Sequence, residues 1–284
     1  MASEARTRAA RARAEDALVR FALLAGAHAQ DFVVIGGLNP DFLAPSAPAA
    51  HLGTTDVDLL FELGFVYDRE ELDFGWLDRV LRTSGFRARR GAAGWQWDAV
   101  LGDALVRLDP LCDVVDQPGQ TVSLPGAESA AVQNLEGPAA ALVQPILREL
   151  SVSPRVRADH VDAPDRVELR FASLAGYLTA KSAALLSRST AKDAYDLMFV
   201  VLFNPGGPRE AAQSILELPA VSYRRPPAAV ARGAVSMLLD PQGRWAGHFA
   251  AQMREAGDEE LEERLRADAA AGASLFLRTL DQNA

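Results

Sequence analysis

The chain has 284 residues, 49% hydrophobic and 24% charged, with 21 Gly and 16 Pro, which is the usage of a folded protein of one large or two medium domains and excludes disordered, collagen-like and coiled-coil readings. A single cysteine, Cys112, excludes an internal disulfide, and with only four scattered histidines (His28, His51, His160, His248) a Cys/His zinc module is excluded as well. The net charge of −9 gives no whole-molecule attraction to nucleic acid, although a local basic face remains open.

The elements follow in chain order. Residues 3–29 read as a helix with a weak apolar stripe from Leu18, Phe21, Ala22 and Ala25. Phe32–Leu38 is a β-branched run ending in glycines and the breaker pair Asn39-Pro40, a buried strand entering a turn and then a Pro/Ala-rich loop. Thr54–Leu63 alternates and then turns apolar, as a second strand does. Asp68–Ser84 reads as a helix with acids at its start and Gly85 at its end. Phe86–Arg90, Trp95–Val100 and Ala104–Val115 read as three strands, the last crossed by Pro110 and hence expected at an edge or bulge.

Residues 117–165 are punctuated by Pro and Gly and suggest only a short helix near Ala139–Val143. Arg166–Ala172 alternates as a strand. Helical periodicity follows in Ser173–Ser187, Lys192–Phe203, Arg209–Leu216, Ala228–Leu239, Trp245–Arg254 and Glu259–Leu280. The expected fold class is therefore α+β: a mixed sheet with flanking helices over 1–165, then a mainly helical domain over 166–284. The longest apolar run, Leu197–Phe203, is seven residues and reads as core helix, so no membrane span is expected. The N-terminal segment carries Glu4, Glu15 and Asp16 and lacks a secretory pattern, which leads to a cytoplasmic expectation.

Several enzyme signatures are absent: there is no G-x-G-x-x-G, no P-loop lysine, no G-x-S-x-G elbow and no H-E-x-x-H. The informative stretch is Gly36-Gly37, an intervening loop, and then Thr54-Thr55-Asp56-Val57-Asp58. On a strand, Asp56 and Asp58 project to one side while Val57 and Leu59 enter the core. Two such carboxylates repel unless a divalent cation sits between them, and Mg²⁺ with carboxylates and phosphates is the arrangement of two-metal phosphoryl transfer. Glycines at 36 and 37 would let backbone N–H groups approach a triphosphate. The alternative is structural: a strand-edge Asp-x-Asp bonded to turn amides, with the glycines serving the turn. Asp109 is a candidate third acid, able to reach the pair from an adjacent strand, and Asp113 shares its parity and competes for the role.

A second constellation runs from Lys181 through Arg188 to Lys192-Asp193-Ala194-Tyr195-Asp196. Lys181 and Arg188 share a helix face, Thr190–Asp193 fits a capping box, and Asp193 and Asp196 share the next helix's face. The plain alternative has Asp193 capping, Lys192 pairing with Asp196 and Lys181 on the surface. Against it stands composition: the chain uses 27 Arg but only two Lys, both here, and a compact ammonium does what a planar guanidinium does not.

The order of hydrophobic strand, Gly-Gly, Thr-x-Asp-Val-Asp-Leu, a later strand Asp, then Lys…Arg…Lys-Asp-x-x-Asp-Leu resembles the polymerase-β-like nucleotidyltransferase superfamily, in particular its AbiEii/AbiGii-type toxin branch, over about 33–201. The resemblance implies Mg²⁺-dependent transfer of a nucleoside monophosphate from an NTP to a hydroxyl acceptor. It assigns metal binding to Asp56, Asp58 and Asp109, and catalysis to these three with Lys181 and Asp196. The nucleotide would be held by Gly36, Gly37, Thr55, Lys181, Arg188, Lys192 and Asp193. The chain departs from the family in having Gly36-Gly37 for the common Gly-Ser, and His51 where many relatives place an arginine before the Thr-x-Asp run. By the same resemblance the acceptor is the tRNA 3′ end and a cognate antitoxin is a partner. Five arginines between Ser222 and Arg254 (Arg224, Arg225, Arg232, Arg244, Arg254) against Asp240 offer an RNA face, or an arginine-bearing helical surface with Trp245 in the core. A cationic small molecule such as an aminoglycoside, a protein hydroxyl, and a noncatalytic nucleotide-binding domain are the other readings.

Overall fold

A computed structural model describes residues 7–63, 72–221 and 223–282. In chain order the elements are α1 (Arg8–Ala25), β1 (Phe32–Ile35), the short α2 (Pro40–Leu43), β2 (Asp56–Phe61), α3 (Gly75–Thr83), β3 (Arg87–Ala88), β4 (Trp97–Leu101), β5 (Ala104–Cys112), β6 (Thr121–Ser123), β7 (Ala131–Asn134), β8 (Ile146–Ser151), α4 (Pro154–Asp159), β9 (Arg166–Phe171), α5 (Leu174–Arg188), α6 (Ala191–Phe203), α7 (Gly207–Leu216), α8 (Pro227–Ser236), α9 (Arg244–Glu255) and α10 (Glu262–Gln282). Among the described residues no helix is long and apolar enough to cross a membrane.

These form two compact units that alternate along the sequence: Met1–Leu38, Gly53–Glu136 and Pro145–Phe171 in one, and Asn39–Leu52, Gly137–Gln144 and Ala172–Ala284 in the other. The strand Arg166–Phe171 thus belongs with the sheet, although the sequence reading divides the chain just before it.

The first unit is a nine-stranded mixed sheet in the order β3-β4-β5-β2-β1-β9-β8, with β7 on β5 and β6 on β7. The pairs β1–β9, β2–β5 and β5–β7 are parallel. Thr7 caps α1, its side chain accepting from the Ala10 amide at 3.0 Å. The helix buries Ala14, Leu18, Phe21 and Ala25 at helical spacing. Phe21 lies 5.7 Å from Phe32, and Phe32 lies 5.7 Å from Phe61, so helix and strands share one aromatic core.

Pro110 overturns an expectation. β5 is an interior strand, not an edge, with β2 along one side. On the other side β4 pairs only as far as Leu108, and β7 takes over at Leu111. Pro110 therefore sits in the gap between two partners, where a missing N–H forfeits no ladder bond.

Helix α3 begins at Gly75, later than its pattern suggests; Leu72–Phe74 are not helical, and the expected start at 68–71 lies outside the described residues. Residues 117–165 hold more order than their composition predicts, supplying β6, β7, β8 and α4. The short helix near 139–143 is a 3₁₀ turn over Pro138–Leu142.

Asp78, buried in α3, fixes part of that region by accepting from the Glu128 amide at 2.7 Å, the Ala130 amide at 3.2 Å and the Ser129 hydroxyl at 2.5 Å. Burial pushes its pKa up, but the Ser129 hydroxyl and the loop amides outweigh this and hold it below the usual carboxylate value. A lowered folded-state value stabilises above the unfolded pKa and is lost as acid titrates the group below about pH 4. Asp78→Ala should destabilise the protein by about 2–3 kcal/mol in urea denaturation at pH 7, with the difference shrinking near pH 3.

The second unit is helical, with Tyr195, Phe199, Phe249 and Phe276 buried in its core. Its caps follow sequence: Ser173 accepts from the Gly176 amide and Thr190 from the Asp193 amide. α10 starts at Glu262, so Glu259–Leu261 of the expected helix precede it and are exposed. Gly176 packs so tightly on the 3₁₀ turn that a Cβ there would lie 2.6 Å from the Ala141 Cα.

Candidate functional site: a carboxylate face and a buried ion cluster

The alternation in β2 turns Val57 and Leu59 inward and leaves Asp56 and Asp58 half-buried on the opposite face. The parallel pairing with β5 sets Asp56 beside Arg107 and Asp58 beside Asp109. Register thereby chooses Asp109 over Asp113, which lies past the end of β5. Three carboxylates are gathered on one face by strand geometry alone.

The glycine turn closes one end of this face. Gly36 has φ of +77°, and a Cβ there would overlap Asp58 Oδ2. A Cβ on Gly37 would come within 2.7 Å of Thr54 Oγ1, itself the acceptor for the Asp56 amide at 3.0 Å. Both glycines are thus required by their own neighbours, Asp58 and Thr54. Thr55, half-buried beside them, donates its hydroxyl to Asp56 Oδ1 at 3.4 Å.

Asp109 is the most perturbed of the three. Burial above all, then the nearby charges of Asp58 and Asp56, push its pKa up to about 8, against the opposing pull of Arg107 and of Gln96, whose Nε2 donates to Oδ2 at 3.4 Å. Its other oxygen, Oδ1, is buried with no hydrogen-bond partner. An orphaned carboxylate oxygen beside two more carboxylates is the chemistry of a hard-cation site. Among the described residues no three His, Cys, Asp or Glu side chains stand at ligating geometry; Asp58 is turned onto Gly36. By donor type the three carboxylates are oxygen ligands of the kind a hard cation takes, and Asp109 Oδ1 is the one left unmet.

A carboxyl whose folded-state pKa is raised from 3.8 to about 8 favours the fold most at low pH and loses that contribution as pH rises through the folded value. In metal-free buffer, Asp109→Asn should therefore gain on the wild type between pH 4 and 8, its melting temperature advantage growing by at least about 3 °C in calorimetric scans.

The second unit carries the other constellation. Asp196 is fully buried: His51 Nε2 lies 2.9 Å from its Oδ1, and Lys181 Nζ donates to Oδ2 at 2.7 Å. Lys181 Nζ also lies 3.8 Å from Asp193, which receives Arg188 at 2.8 Å and the Thr190 hydroxyl at 2.6 Å. Arg188 is largely exposed, its side chain at 60% of full accessibility. Lys192 opens α6 and is half-buried. His51 stacks on Tyr195 at 5.0 Å, while the Tyr195 hydroxyl accepts from the Leu52 amide at 3.2 Å.

Lys181 is therefore not a surface lysine, and Asp196 takes both Lys181 and His51. His51 as the partner of Asp196 was not foreseeable, since 145 residues separate them. Removing one member of a buried ion cluster leaves the other uncompensated. Asp196→Ala should destabilise the fold by about 3–5 kcal/mol, and Lys181→Met by less because His51 still faces the carboxylate; urea titration reads both.

The arginines of 222–254 are engaged. Arg232 pairs with Asp281, Arg254 donates to the Glu259 and Glu260 carbonyls, and the Arg244 guanidinium lies 4.2 Å from the ring of Trp245, which is buried. Ser222 lies outside the described residues.

No family model matches this chain, and no curated protein matches it. Among solved structures it is similar to the crystal structure of a "putative nucleotidyltransferase" from H. pylori, with 11% identity and a TM-score of 0.46 over 97% of this chain and 98% of that one.

Proposed function

We propose that this chain is a nucleotidyltransferase that moves a nucleoside monophosphate from an NTP to a hydroxyl acceptor and releases pyrophosphate. The observation that carries the reading is the register of Asp58 against Asp109, which puts an unmet carboxylate oxygen beside the Asp56/Asp58 pair. Magnesium, held by Asp56, Asp58 and Asp109, would supply charge neutralisation for the phosphates and acidify the attacking hydroxyl. Asp109 holds its proton up to about pH 8 in the metal-free site; a bound cation would displace that proton and leave Asp109 as the third carboxylate beside the Asp56/Asp58 pair. Gly36 and Gly37 keep side chains away from that face, and Thr54 and Thr55 brace Asp56.

The nucleotide-binding role that the resemblance carries to the second unit falls on Arg188 and Lys192, the cations nearest its surface. Lys181 and Asp196, with Asp193, hold that cluster in shape. For the acceptor, the resemblance to AbiEii-type toxins favours the tRNA 3′ end, with an antitoxin as regulatory partner. A cationic small molecule is the second reading, favoured by the −9 net charge and by the pairing of Arg232 and Arg254 within the chain.

Purified protein with Mg²⁺, each α-labelled NTP in turn and total RNA should yield a labelled tRNA-sized band that is reduced at least about 100-fold in Asp56→Ala/Asp58→Ala. Label retained by that variant would refute the assignment; label on an aminoglycoside and not on RNA would select the second reading.

A further inference from the structure

The carboxylate face contains a cation of its own. Arg107 stands two residues before Asp109 on β5, directly beside Asp56. On its other side Asp98 of β4 faces it, and beyond that Arg87 of β3 faces Asp98. One row across four strands thus reads Arg87, Asp98, Arg107, Asp56, alternating in sign. Within the row Arg107 is shared unequally: its Nε donates to Asp98 Oδ1 at 3.3 Å, while its Nη1 remains 3.9 Å from Asp56 Oδ1, beyond hydrogen-bond distance. All three side chains are about one-quarter exposed.

Arginine–carboxylate pairs are frequently bidentate, and such a pair uses both oxygens. On Asp56 this would occupy the atoms that a divalent ion needs. We propose that Asp98 is a positioning residue for the carboxylate site: by anchoring Arg107 it keeps that side chain off Asp56 and leaves the face able to accept a divalent cation. This rests on reading Asp56, Asp58 and Asp109 as the cation-holding face. It assigns the Arg107–Asp98 pair a purpose that neither sequence motif contains. Arg107 stays near enough to temper the repulsion among the three acids, and Asp98 limits how far it goes.

Mn²⁺ titrated into the full chain without nucleotide, followed by the loss of its free-ion paramagnetic resonance signal, tests the inference through binding and not turnover. Asp98→Asn should weaken Mn²⁺ binding about fivefold, the upper range for a part-exposed ion pair. Arg107→Gln should tighten it, and adding Asp98→Asn to Arg107→Gln should change affinity by less than about twofold, because the anchor has nothing left to hold. An equal fall from Asp98→Asn in both backgrounds would overturn the inference, since Asp98 would then act only as one more negative charge. Should Mn²⁺ bind equally well to Asp56→Ala/Asp58→Ala, or not bind the wild type, the cation-site reading itself fails and the inference with it. Thermal melts confirm that each variant is folded, with Arg107→Met replacing Arg107→Gln if the latter is not.

Discussion

Asp58 and Asp109 stand directly opposite each other on adjacent parallel strands, and with Asp56 they set three like charges on one face of the sheet. Carboxylates so placed are tolerated only if something offsets their repulsion: a proton, a cation or a favourable dipole. The molecule uses the first two. Asp109 takes up a proton well above its ordinary range, and Arg107 lies between Asp98 and Asp56. The glycine turn is shaped by the same demand, because Asp58 lies where a side chain on Gly36 would be. Sheet register, a shifted pKa and two obligatory glycines are thus connected through one unfavourable arrangement, the kind that folds keep for chemistry.

The second unit resolves a related problem in another way. There the acids are taken out of water altogether, and every charge has a partner: Lys181 and His51 on Asp196, Arg188 on Asp193. The carboxylate face keeps its charges half-exposed with one oxygen unmet. A satisfied buried cluster specifies geometry, whereas a buried oxygen left without a partner, as at Asp109 Oδ1, is a cost that the fold carries. The rarity of lysine in this chain has a physical counterpart here, since Lys181 places a compact ammonium between two carboxylates where a fork of guanidinium nitrogens would be harder to enclose.

Much of this was legible in the sequence because it is local. The alternation Asp-Val-Asp-Leu fixes which side chains share a face, and Ser173 and Thr190 announce the starts of α5 and α6. Parity admitted Asp109 and Asp113 alike, since parity says nothing of which strand lies alongside; the register with β2 separated them. Other features depend on contacts that no local pattern encodes. His51 meets Asp196 across 145 residues, and the segment 117–165 gains its strands from partners elsewhere in the sheet, not from its own Pro- and Gly-broken pattern. Pro110 misleads for the same reason: it signals an edge, yet the interior strand accommodates it because the neighbouring strand changes there.

The alternation of the two units along the chain bears on how the protein comes into being. β1 lies parallel to β9, and Val34 meets Phe171 only after more than a hundred intervening residues. The helical unit likewise incorporates Asn39–Leu52, made early, with helices made last. Closing such long loops is entropically slow. The sheet unit has all of its residues once Phe171 is made, whereas Asn39–Leu52 of the helical unit must wait for the helices made last, and no single cut in the polypeptide separates the two into continuous pieces. The order of the residues thus ties the completion of the helical unit to a segment laid down before most of the sheet.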